Sequence, residues 1–183
     1  MKKFELTTDT KMFLGKKLFR IKALISFGNV KVGDMGGYIE KEENLSQSGN
    51  AWVYGDARVY GNARVSGNAR VYGDAWVYGD AWVSGNARVY GDAEVFGNAW
   101  VSGDAMVHGD ADYATVQGFG SEYRTTTFFR TKAGDIGVRC GCFYGTLEEF
   151  RAKVKETHGE TKTAKEYLMV ADLMEFRFSE EEV

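Results

Sequence analysis

The chain contains no proline, only two cysteines and only two histidines. Without proline, its turns must be made by glycine, of which there are 23, and by Asn or Asp in left-handed or otherwise special conformations. Cys140 and Cys142 stand one residue apart, a poor spacing for a disulfide framework and one compatible with a reducing compartment. A dominant charge is missing too: a net charge of -3 and a pI near 5.5 argue against a protein that grips nucleic acid through a broad basic surface. No apolar run reaches the length of a membrane span, and Met1-Lys2-Lys3-Phe4-Glu5-Leu6 leads into no apolar signal core. The expectation is a cytoplasmic protein without a membrane partner. A length of 183 residues suits one continuous body with an appendage rather than two full-sized cores.

What the sequence has in abundance is repetition. From Gly49 onward, Gly-[Asn/Asp]-Ala-x-Val-y recurs without a gap, with valine at 53, 59, 65, 71, 77, 83, 89, 95, 101 and 107. Alanine occupies 51, 57, 63 and every sixth position on to 111. A six-residue period does not suit an amphipathic α-helix, and glycine at every sixth position would weaken one. Short strands fit: in Ala-x-Val-y, alternation puts Ala and Val on one face and x and y on the other, while Gly-Asn or Gly-Asp turns a corner. The y residues run Tyr54, Tyr60, Ser66, Tyr72, Tyr78, Ser84, Tyr90, Phe96, Ser102, His108, so serine returns every eighteen residues. Three hexads per coil explain that return, because residues eighteen apart then stack on one face of a triangular prism. With coils about 4.8 Å apart, the block makes three to four turns and stands roughly 17 Å tall.

The flanks read differently. Lys11 to Leu24 alternates as strand, turn and strand. In Gly33 to Leu45, Ile39 and Leu45 keep the six-residue step but Val53 follows eight later, as in an irregular first coil that caps an otherwise exposed edge. Behind the repeat, Tyr123 to Arg130 and Ile136 to Cys140 form a hairpin pattern around Lys132-Ala133-Gly134-Asp135. Thr146-Leu147-Glu148-Glu149 and Thr163-Ala164-Lys165-Glu166 are capping boxes, each opening a helix, the first closed by His158-Gly159. The tail Ser179–Val183 is expected to fray. The fold class is therefore mainly β: a parallel β-helix over 49–114, an N-terminal β cap over 1–48, and a small C-terminal α+β appendage over 115–183.

The spacing of an aliphatic residue and a small one four later, Val53 to Ala57 and Val59 to Ala63, resembles the hexapeptide-repeat superfamily. That resemblance implies left-handed coiling, against the usual right-handed crossover, and spacing alone does not fix the hand. Along its whole length the chain looks like hexapeptide-repeat proteins of bacteriophages and prophages of Gram-positive bacteria. The matching segments are Gly36 to Leu45, the Gly-Asn-Ala-x-Val block, and Gly141-Cys142-Phe143-Tyr144-Gly145-Thr146-Leu147-Glu148-Glu149-Phe150. The resemblance implies a viral setting and no particular reaction.

Many hexapeptide-repeat proteins are acyltransferases with a histidine base, which makes His108 the catalytic candidate, although no loop interrupts this repeat. Three-histidine zinc chemistry is excluded, since only His108 and His158 exist. Cys140 and Cys142, read on one strand face, could with His158 bind a metal, but buried structural thiols are the preferred reading. The column Asp56, Asp74, Asp92, Asp110 could hold cations, but Asp at a corner more simply bonds nearby backbone.

The outward positions carry more. One face holds Trp52, Tyr54, Arg70, Tyr72, Arg88, Tyr90, Met106 and His108; the next Arg58, Tyr60, Trp76, Tyr78, Glu94 and Phe96; the third Arg64, Trp82, Trp100 and serines. Contiguous aromatic and Arg surface is typical of interface anchors and would be a solubility liability if left wet. Flanking segments, a homotrimer of the kind common in the superfamily, or a foreign partner would each cover it. The expectation is a non-enzymatic, cofactor-free, phage-encoded binding protein, with a host macromolecule or small anionic ligand as partner. Inhibition or sequestration of a host antiviral defence component suits that setting. The alternatives are a hexapeptide-repeat acyltransferase and a structural virion component.

Overall fold

The computed structural model describes residues 1–179. The chain forms two units, Met1–Asp110 and a second that begins at Ala111. No helix among the described residues is long and apolar enough to cross a membrane.

The first unit opens with an antiparallel hairpin, β1 (Phe4–Phe13) and β2 (Lys16–Ala23). It starts earlier than Lys11, where the alternation begins to be legible. Its two-residue turn, Leu14-Gly15, has positive φ at both positions, the conformation whose twist matches that of the flanking strands. β2 pairs antiparallel with β3 (Met35–Ile39), and β3 pairs in parallel with the wall of the solenoid.

The wall consists of two-residue strands, one per hexad. Face one stacks β4 (Trp52–Val53), β7 (Arg70–Val71), β10 (Arg88–Val89) and β13 (Met106–Val107). Face two stacks β5 (Arg58–Val59), β8 (Trp76–Val77) and β11 (Glu94–Val95) onto β3, and face three stacks β6 (Arg64–Val65), β9 (Trp82–Val83) and β12 (Trp100–Val101). The pairs between strands of the repeat are parallel and eighteen residues apart, as in Arg70↔Arg88, Trp76↔Glu94 and Trp82↔Trp100. Three hexads per coil, the expectation from the returning serine, is the observed geometry. The result is a parallel β-solenoid of about four coils.

Alternation sorts the side chains. From Ala51 through Val107, the alanines and valines of the repeat are no more than 1% exposed. Each buried valine contributes about 2 kcal/mol of transfer free energy. The corners need glycine: Gly73 has φ 72°, and a Cβ there would sit 2.8 Å from the Gly91 carbonyl oxygen one coil on. The pattern ends earlier than residue 114. Gly103 is the last corner glycine of the repeat with positive φ, and Ala111 is exposed within the short 3-10 turn Asp110–Asp112. The last hexad keeps the Gly-Asp-Ala start but has Tyr113 where the repeat has valine, and Tyr113 already belongs to the next strand, Tyr113–Val116.

The irregular first coil is present, with Ile39 paired to Val59 and Leu45 bridged to Val65, a step of twenty residues rather than eighteen. A solenoid end exposes carbonyls that no coil will satisfy, and buried side chains supply the donors here. The Asn44 amide donates to Gly61 O at 3.1 Å and Ala63 O at 2.8 Å. Lys3, only 1% exposed, donates its ammonium to Ala51 O at 2.9 Å and lies 4.9 Å from the Phe27 ring centroid.

The second unit is an antiparallel sheet in chain order, β14 (Tyr113–Val116), β15 (Thr126–Arg130), β16 (Ile136–Cys140) and β17 (Phe143–Thr146), with α1 (Leu147–His158) and α2 (Lys162–Phe178) packed on it. The hairpin around Lys132–Asp135 is present, and β14 and β17 add outer strands that periodicity did not reveal. Thr146 and Glu149 form the anticipated capping box. α2 begins two residues before the one expected at Thr163: Thr161 is its N-cap, accepting from the Ala164 amide at 3.3 Å. The apolar stripe Leu147, Phe150, Val154 meets Tyr167, Val170 and Met174 over Phe128 and Val138. Ser179 closes α2 by donating to Glu175 O and Phe176 O; the rest of the tail expected to fray lies outside the described residues.

Burial lowers the Lys3 ammonium from 10.5 to about 8. Between those values the unfolded chain holds a proton the folded chain has released, so this group makes stability rise with pH across that window. Urea unfolding should show a gain of about 2 kcal/mol between pH 7.5 and 9.5 that is absent in Lys3→Met. Equal pH dependence in both proteins would contradict the buried-ammonium cap.

Candidate binding faces

The three faces inherit one ladder geometry and differ in what covers them. On face two, Phe13 at the end of β1 lies edge-on to Tyr60 at 5.9 Å and Trp76 at 4.7 Å, and the Arg58 guanidinium sits 4.3 Å from the Phe13 ring centroid. Tyr60 is consequently buried among Leu18 and Tyr38. Below it, Tyr60, Tyr78 and Phe96 stack at 5.1 and 5.4 Å. The Tyr78 hydroxyl donates to Glu94 at 3.1 Å, and burial together with that carboxylate pushes it up to about 12.

Trp52 departs from the expected outward anchor. It is 1% exposed, packed edge-on by Phe4 at 6.2 Å and Phe27 at 5.4 Å. The amino-terminal segment therefore takes Trp52 and Tyr60 out of the candidate contact surface, because apolar hairpin residues need cover and the first coil offers its aromatic rings.

Face three carries the stacked pair Trp82 and Trp100, 4.6 Å apart and 5° from parallel, whose indoles donate to Ser66 at 2.9 Å and Ser84 at 3.0 Å. This explains the recurring serine: a small acceptor sixteen residues before each tryptophan satisfies its N–H. Trp82 remains exposed, as does Arg64 in register before it.

Face one presents two arginines to a cleft. Arg70 and Arg88 lie in register on neighbouring coils, and neither forms an ion pair among the described residues. Together with Tyr54, Tyr72 and Asn29 they line a cleft of about 400 Å³. Tyr72 and Tyr90 stack at 5.0 Å, and His108 lies edge-on to Tyr90 at 5.0 Å in the last coil. Burial raises the Tyr72 hydroxyl and Tyr90 adds to it, while both arginines pull it back. The phenol stays neutral near pH 7 and can donate. Asn29 escaped notice in the sequence because residues 24–34 belong to no repeat, so nothing ties them to a face.

The corners hold the polar ladders. Asn50, Asn68 and Asn86 donate in turn to Asn68, Asn86 and Asp104 at 3.0, 3.1 and 3.1 Å, and Asn62 donates to Asp80 at 3.1 Å. A mixed Asn/Asp column works because each amide donates onward and a terminal carboxylate needs only to accept. The all-Asp column has acceptors only. Lys11 approaches Asp56 at 3.6 Å, and Asp110 accepts from the Glu94 amide at 3.0 Å. Among the described residues no group of three or more His, Cys, Asp or Glu is placed to hold a metal. The two thiols do not share a strand face: Cys140 ends β16, accepting from the Thr126 hydroxyl at 3.2 Å, whereas Cys142 is exposed in the two-residue turn before β17. The turn after Cys140 defeats the alternation assumed from the spacing.

These features define a repeat β-solenoid protein with an α+β appendage. The repeat family described as the YdcK beta solenoid repeat matches residues 51–65, 57–72, 63–79 and 69–85, so this part of the chain is similar to that repeat. No curated protein matches the chain.

The ladders make a prediction about the acidic column. Asp74→Asn gives Asp92 an amide donor, as Asn68 gives Asn86, and removes one like-charge repulsion. The variant should gain about 0.5–1 kcal/mol in chemical denaturation. A loss of stability instead would mean that the column holds something requiring carboxylates.

Proposed function

We propose that the protein is a non-enzymatic binding protein whose first solenoid face holds an anionic group between Arg70 and Arg88. The observation that carries this reading is the in-register arginine pair without a carboxylate partner among the described residues, set in a cleft bounded by Tyr54, Tyr72 and Asn29. Two like charges held one coil apart repel each other, and an anion between them reverses that penalty. Planar guanidinium forks match phosphate, sulfate or carboxylate oxygens, and neutral tyrosine hydroxyls add donors. Because the wall is a stack of hydrogen-bonded coils, the donors are ordered before the ligand arrives, which lowers the entropy lost on binding.

The finer reading is sequestration of an anionic molecule used in host antiviral defence. Its support is the resemblance to phage and prophage hexapeptide-repeat proteins. A homotrimer is part of the same proposal, since it would bring copies of the cleft to subunit junctions. Native mass determination reports that state directly.

Calorimetric titration with inorganic pyrophosphate at low salt tests the site. Saturable binding is expected, weakened about ten-fold in Arg88→Ala, lost in the Arg70→Ala/Arg88→Ala double variant and retained in Arg64→Ala on face three. Absence of binding by the native protein, or equal binding by the double variant, would overturn the reading.

A further inference from the structure

The second unit contains a cavity of its own, about 290 Å³, between the β16–β17 turn and the two helices. Its inner wall is aromatic. Phe150 lies 5.5 Å from Phe143 and 5.6 Å from Tyr167, the latter pair at 88°, so the rings form adjoining sides of a box. Val154 completes the apolar lining, and the His158 ring sits 5.8 Å from Tyr167.

The rim has the opposite character. Arg124 and Lys153 line it with a single carboxylate, Glu122. The Arg124–Glu122 pair is 3.5 Å long between side chains 58% and 64% exposed, so it is worth little and leaves the guanidinium available. Lys153 pairs with Glu156 at 2.9 Å on the exposed side of α1, again within reach of solvent exchange. Gly141 brings Arg124 close to the mouth: its φ is 57°, and a Cβ there would stand 3.0 Å from the Arg124 Nη1 atom. At the base, the Tyr167 hydroxyl stays protonated, raised by burial and by Cys140, whose thiol is 4.0 Å away.

We propose that this cavity binds a small flat organic anion, an aromatic body of one or two rings carrying one carboxylate or sulfonate. The volume lies at the lower end of small-molecule sites, which admits a ring system and excludes a nucleotide-sized ligand. The aromatic box favours a planar apolar body by stacking and edge contacts. The cationic rim selects negative charge at one end of that body. This site is independent of the arginine cleft on the solenoid, and either can fail without the other.

Cys142, exposed on the cavity rim, serves as the reporter. Alkylation of the full chain by iodoacetamide is followed by peptide mass spectrometry, with 2-naphthoate as the anionic probe and 2-naphthamide as its neutral counterpart. Naphthoate should protect Cys142 saturably, with an apparent affinity about ten-fold above that of the amide. Lys153→Glu, a substitution on an exposed helix face, should weaken naphthoate protection by at least about ten-fold, and Thr157→Trp should remove it by filling the mouth. Protection is read as the ratio of rates with and without probe within each variant, which removes any change in thiol reactivity. No saturable protection, equal protection by the amide, or undiminished protection in Lys153→Glu would each overturn the proposal.

Discussion

Everything in the first unit depends on the backbone hydrogen bond that crosses from one coil to the next. Amides donate to carbonyls seventeen residues ahead, as from Asn68 to Gly85 O at 2.7 Å, Tyr54 to Val71 O at 2.8 Å and Trp76 to Ala93 O at 2.9 Å. Each such bond contributes only about 1 kcal/mol net, but leaving it unmade within a stacked wall costs more than making it gains. The repeated bond fixes the eighteen-residue register, and the register decides every side-chain neighbour. Asparagine meets asparagine, tyrosine meets tyrosine, and Arg70 meets Arg88, because the main chain permits no other pairing.

That dependence also explains what the amino-terminal residues are for. A stack of coils ends in unpaired carbonyls and open rings of apolar wall, and the terminus meets both needs locally. Asn44 and the buried Lys3 ammonium supply donors, while Phe4, Phe13 and Phe27 cover Trp52 and Tyr60. Coverage of the first coil leaves the arginines further along face one open, so the cap and the candidate cleft are consequences of one arrangement rather than separate designs.

The solenoid was readable from sequence because its period, its alternation and its corner glycines all reported the same geometry. Serine returning every eighteen residues disclosed the number of hexads per coil, and the structure supplies the cause in the Trp82–Ser66 and Trp100–Ser84 hydrogen bonds. Legibility failed where contacts are not periodic. Trp52 belongs to the outward series by spacing, yet segments far away in sequence bury it. Asn29 joins the cleft from a loop without pattern. Cys142 left its expected strand because a glycine-led turn intervenes after Cys140. The arrangement of Arg124, Lys153 and the aromatic box around one cavity was equally invisible, since its members come from a loop, a strand and two helices with no shared spacing.

The inter-coil register is tested most directly by cross-linking across one corner column. In a Cys140→Ser/Cys142→Ser background, cysteines replacing Asn68 and Asn86 occupy successive rungs of an amide ladder, bonded at 3.1 Å in the native protein. Neighbouring strands about 4.8 Å apart fall within the Cα separation a disulfide bridges. Mild oxidation should close that pair almost completely, while cysteines at Asn68 and Asp80, twelve residues apart on different corners, should remain reduced. Efficient closure of the 68/80 pair, or failure of the 68/86 pair, would contradict the three-hexad coil and everything built on it.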